Sequence, residues 1–190
     1  MMPFEKSADV RRLSFEALAV EFHSLDGRWC HAIKVHGETI AHSLDIVAGA
    51  EDPERPVSPT YQELHEDEVD GAPVLLLVGK NGPHHYSAVV RMALWDTGAL
   101  LEFDIADRCR TPDRGPSATY RVARTSSDIL TADGGKVVWR CAGTFTLEGV
   151  GLARLALAEA GRQATHVQVQ SPLDSVRTTA RLAYRWVWVP

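Results

Sequence analysis

Residues 18–35 read Leu18-Ala19-Val20-Glu21-Phe22-His23-Ser24-Leu25-Asp26-Gly27-Arg28-Trp29-Cys30-His31-Ala32-Ile33-Lys34-Val35. Both runs flanking Asp26-Gly27 alternate with a period of two. Leu18, Val20 and Phe22 share one face, with Ala17, Ala19, Glu21 and His23 on the other. Only a strand places side chains i and i+2 together. Asp-Gly between two such runs signals a hairpin closed by a two-residue turn. With Asp26 and Gly27 as that turn, Leu25 faces Arg28, Phe22 faces His31, Val20 faces Ile33 and Leu18 faces Val35. Apolar meets apolar across the pair, so the register is self-consistent. The same parity puts His31 on the apolar face.

The pattern recurs downstream. Val74 to Val78 is a short apolar run of buried-strand type. His85 to Trp95 and Leu100 to Ala106 flank Thr97-Gly98. That turn pairs Leu94 with Leu101, Met92 with Phe103 and Val90 with Ile105, and on the reverse face Ala93 with Glu102 and Arg91 with Asp104. Ala118 to Arg124 carries Tyr120 and Val122 on one face. Asp133-Gly134-Gly135 marks a third hairpin between Ser127–Thr131 and Lys136–Leu147. Val167 to Gln170 and Arg177 to Val189 predict a closing hairpin around Pro172-Leu173-Asp174, with Trp186 and Trp188 on one face.

Two segments depart from this period. Residues 49–73 are acidic and proline-rich and read as an excursion from the sheet. Within them, Ser58 offers a capping hydroxyl and Pro59 a first-turn residue, which predicts a short helix near 59–65. Residues 150–160 are rich in Ala, Leu, Arg and Glu and meet Gly161, which predicts a second helix. About nine strands with turns between them predict an all-β fold, an antiparallel barrel or sandwich. With one helix near its C-terminal end, the layout resembles the calycin-like barrels, which hold a small molecule in the barrel interior. That resemblance is one of layout only, with no motif behind it.

The chain has 190 residues and a formal charge of −5, from 20 Lys and Arg against 25 Asp and Glu. An acidic balance argues against a nucleic-acid binder. No composition break or repeat divides the sequence, so residues 1–190 read as a single domain. The N-terminus shows no signal-peptide pattern, and no apolar run approaches a membrane span. Cys30, Cys109 and Cys141 are widely spaced, with no CxxC pair. Scattered thiols without a leader fit a cytoplasmic protein without a membrane partner.

The chemistry-bearing motifs are sparse. No HxH or HExxH spacing supports a metal site, and no GxSxG elbow supports a serine nucleophile. Gly149-Val150-Gly151 lacks the rest of a dinucleotide loop. Glu102, Asp104, Asp107, Arg108 and Arg110 form a dense charged patch that reads as a solvated face. No cofactor is implied. Parity instead collects Phe22, His31, Ile33, Tyr86, Met92 and Phe103, with Val20, on inward faces. An apolar cavity with His31 and Tyr86 as its few polar groups would suit a small apolar ligand. The expected function is therefore non-enzymatic binding of such a molecule or of a protein partner. The alternatives are an enzyme of hydrolase type using a buried histidine, and a structural subunit of a homo-oligomer joined through the Trp-rich C-terminal strand.

Overall fold

The computed structural model describes residues 9–44, 58–110, 115–123, 128–140, 143–159, 165–172 and 178–190. The first hairpin has the register that the alternation predicts. β2 (Leu18–Leu25) and β3 (Arg28–Val35) pair Leu18 with Val35, Val20 with Ile33, Phe22 with His31 and Leu25 with Arg28. Asp26 and Gly27 both take positive φ, as such a turn requires.

Among the described residues, fifteen strands form two antiparallel sheets, against the nine expected. The seven-stranded sheet runs β1 (Val10–Phe15), β2, β3, β4 (Glu38–Ser43), β9 (Ser117–Val122), β14 (Thr165–Gln170), β13 (Arg154–Glu159). The eight-stranded sheet runs β10 (Ile129–Asp133), β11 (Lys136–Arg140), β12 (Thr144–Val150), β15 (Thr179–Val189), β8 (Gly98–Arg108), β7 (His84–Trp95), β6 (Ala72–Asn81), β5 (Glu63–Val69). Neither sheet closes on itself, so the fold is a sandwich and not a barrel. One hydrophobic cluster draws on both sheets. Its largest sealed side chains are Trp139, Trp186, Tyr120, Tyr184, Phe22, Phe103 and Phe145.

Neither expected helix is present. At 59–65, the hydroxyl read as a cap serves a strand. Ser58 Oγ accepts from the Thr119 N–H at 2.9 Å and donates to the Thr119 carbonyl at 3.3 Å. Tyr61 bridges to Trp29, and β5 begins at Glu63. The expected excursion is thus in part a sheet edge, because β5 turns at Asp70-Gly71 into β6; residues 49–57 lie outside the described residues. At 150–160, Gly151 (φ 67°) turns the chain and β13 follows. Leu155 and Leu157 share a face there, opposite Val169 and Val167 of β14. Cross-strand pairing overrides helix propensity, which is a weak prior. Gly161 and Cys141 lie outside the described residues.

Two registers also differ. β7 and β8 turn at Asp96-Thr97 and pair Met92 with Leu101, Val90 with Phe103 and Arg91 with Glu102. The slip is two residues, so faces are kept and partners change. Gly98 is withheld from the turn because a Cβ there would lie 1.9 Å from the Trp188 carbonyl oxygen. β14 and β15 form no closing hairpin, since they belong to different sheets. β15 lies between β12 and β8, with Trp186 and Trp188 buried.

Candidate functional site

The buried histidine is the first polar group to place. His31 comes from β3 and lies between Phe22 and Phe103, with ring centroids at 4.9 and 5.1 Å. Its Nε2 stands 2.9 Å from Tyr120 Oη on β9. Tyr120 Oη in turn stands 2.6 Å from Tyr184 Oη on β15. The chain of three therefore crosses from one sheet to the other. The His31 backbone N–H donates to Ser43 Oγ at 2.9 Å.

Burial governs the protonation of this chain. It pushes the His31 pKa down to about 3, with a smaller push from His42. His31 is accordingly a neutral imidazole at neutral pH. Burial likewise raises the Tyr120 and Tyr184 phenols above their ordinary value. A very weak base beside two very weak acids exchanges no proton readily near pH 7. Beside them is a void of about 10 Å³, lined in part by His31, Ser58, Tyr61, Tyr120 and Tyr184. That is about the room of one water. The Tyr61 hydroxyl is buried with no hydrogen-bond partner among the described residues.

Of the residues expected from sequence, His31, Phe22 and Phe103 come together. Ile33 packs in the same core beside them. Met92 is only half-buried, opposite Leu101. Tyr86 belongs to the same core and stacks on His84 at 5.8 Å. Only His31 of the six lines the void; the other five belong to the hydrophobic core or pack against it. Tyr61, Tyr120 and Tyr184 were not among the expected site residues. Parity could have found Tyr184, which alternates with Trp186 and Trp188 on one face of β15.

A second set of polar groups stands where β6, β7 and β8 end. His84 Nδ1 lies 2.8 Å from Asp107 Oδ2, and Asp107 is buried with its Oδ1 unpartnered among the described residues. Asp107 thus points inward, whereas Glu102 and Asp104 of the same strand face out and pair with Arg91 and Arg181. The solvated-face expectation holds for those two and fails for Asp107. On the outer face, Lys80, His85 and Arg108 are successive cross-strand neighbours. With Gly82, Pro83 and Arg110 they line an open cleft of about 470 Å³. Among the described residues, no three His, Cys, Asp or Glu side chains converge to hold a metal ion.

No protein-family model and no curated protein matches this sequence. Among solved structures, the chain is similar to a 4-alpha-glucanotransferase from Thermococcus litoralis, at 8% identity and a TM-score of 0.42. The match covers 97% of this chain and 40% of that one, so the chain spans about two fifths of that enzyme's length. A likeness this loose says nothing about activity.

Proposed function

We propose that this chain is a binding domain without chemistry of its own, which meets its ligand at the rim of the sandwich and not in its interior. One observation supports this above the others: the interior polar chain borders a void of only about 10 Å³, while the open cleft at the rim offers about 470 Å³. Small-molecule sites run to roughly 300–1,000 Å³. An apolar ligand inside would have to displace the packed aromatic core. The test is a thermal-shift panel of anionic, cationic, neutral and apolar small molecules, run beside turnover assays with chromogenic carboxylic and phosphate esters. Saturable stabilisation without turnover is the expected result.

A second reading rests on His84 and Asp107. An imidazole oriented by a buried carboxylate is half of a base–nucleophile arrangement. Turnover abolished by His84→Gln would replace the binding reading with this one.

A further inference from the structure

We infer that the rim cleft is a site for a small polyvalent oxyanion of phosphoryl type. This rests on the binding-domain reading and names the chemistry of its ligand. The outer face of strands β6, β7, β8, β15 and β12 carries five arginine and lysine side chains. Arg91 pairs with Glu102, Arg181 with Asp104 and Arg185 with Glu148. Each carboxylate lies on a strand beside that of its arginine. The row at the end of the sheet breaks this rule. Lys80, His85 and Arg108 stand side by side across three strands, and Arg110 follows just beyond. Among the described residues, no carboxylate pairs with any of the four.

That arrangement is unfavourable on its own account. Like charges on neighbouring positions of a sheet face repel. Lys80 and Arg108 are both cations at neutral pH, and they flank a third group that donates hydrogen bonds. A chain of net charge −5 has ample carboxylates to neutralise them, yet among the described residues none pairs with them. A bound anion would relieve the repulsion. Two guanidinium forks and an ammonium suit the several acceptor oxygens of a phosphoryl group, since arginine pairs bidentately with phosphate. Strand spacing of about 4.8 Å puts the row at about 10 Å from end to end. Beyond the cleft, Arg91, Arg181 and Arg185 are each paired with a carboxylate, which favours a small ligand over a nucleic-acid backbone.

The experiment titrates the full chain with inorganic pyrophosphate, by calorimetry and by amide chemical-shift mapping. Shifts should concentrate in residues 79–86 and 106–110. Arg108→Ala and Lys80→Ala should each weaken binding at least about tenfold, as loss of a charge-assisted hydrogen bond does. Arg181→Ala, on the same face but already paired, should leave affinity within about twofold. Both replaced side chains are exposed, so circular dichroism should find the variants folded. Equal losses in Arg108→Ala and Arg181→Ala would overturn the assignment, because attraction would then be diffuse. So would no perturbation of the cleft at millimolar pyrophosphate, or tighter binding of a short oligothymidine than of pyrophosphate. Hydrolysis of a phosphate ester with the cleft still engaged would sink the binding-domain reading and leave the oxyanion site standing. Saturable binding of an uncharged ligand with pyrophosphate silent would do the reverse.

Discussion

His31 ties stability to pH through its burial. Unfolded, its imidazole takes up a proton near pH 6.5; folded, it resists protonation until about pH 3. Between those values unfolding takes up a proton, so stability rises with pH across that window. From pH 7 to pH 5 the fold should lose roughly 2 kcal/mol through this group, at about 1.4 kcal/mol per pH unit below the unfolded value. His42 and His166 are shifted down as well, both mainly by partial burial, and add in the same direction. His31→Gln isolates the contribution: denaturant melts at pH 7 and pH 5 should show a shallower difference than in the parent. An unchanged difference would mean His31 is reached by solvent. The tyrosines divide in a similar way. Tyr120 Oη holds contacts to both His31 and Tyr184, so Tyr120→Phe strands two buried groups and should cost about 2 kcal/mol or more. Tyr61 Oη has no hydrogen-bond partner among the described residues, so Tyr61→Phe should be neutral or stabilise by up to about 1 kcal/mol. If both replacements cost the same, the hydrogen-bond chain is not what holds this part of the core.

At the scale of strands, faces were legible in the sequence and partners only in part. Alternation needs no knowledge of the rest of the molecule, so the inward sets of β2, β3, β7 and β8 could be read directly. The β2–β3 register followed because both Asp26 and Gly27 serve the turn. The β7–β8 register did not, because Gly98 answers to a distant backbone. Its missing Cβ admits the Trp188 carbonyl, and Asp96 takes the positive φ of 50° instead. The helix expected at 150–160 failed for a related reason, since its strand pairing comes from β14 and not from its own residues. The rim cleft was legible least of all, because Lys80, His85 and Arg108 meet only once three strands are aligned. Glycine replacements separate the two roles. Gly27→Ala meets nothing within 4 Å and should cost about 1 kcal/mol of backbone strain. Gly98→Ala must push β8 from β15 and should cost about 3 kcal/mol. Likewise Phe103→Ala should cost about 3 to 5 kcal/mol, and Arg91→Ala, with its exposed ion pair, roughly 0 to 1 kcal/mol. Urea melts rank all four, and the reverse order in either pair would invert the roles given to those residues.

The whole molecule depends on its last strand. β8 belongs to a meander that begins at β5, and β12 to one that begins at β10; β15 alone joins them. It pairs along Thr179–Trp188 with β8 and along Ala183–Val189 with β12. It also brings Leu182, Tyr184, Trp186 and Trp188 into the core, where Tyr184 stacks on Phe103 and Trp186 on Phe145. Without it the eight-stranded sheet falls into two pieces, and the cluster shared by both sheets loses its centre. Deleting residues 179–190 should therefore abolish cooperative unfolding and not merely lower its midpoint. The matching control lies at the far edge of the same sheet, where Leu130 on β10 is 46% exposed and Leu130→Lys should change stability by less than about 0.5 kcal/mol. The β8–β15 pairing also cannot form until distant parts of the chain meet. Folding should accordingly be slow, in the millisecond-to-second range of sheets built from non-local pairs. Stopped-flow refolding and near-ultraviolet melts of the parent, the truncated chain and the edge variant test all of this together. A truncated chain that still melts cooperatively would show that the two halves of the sheet hold together without the strand between them.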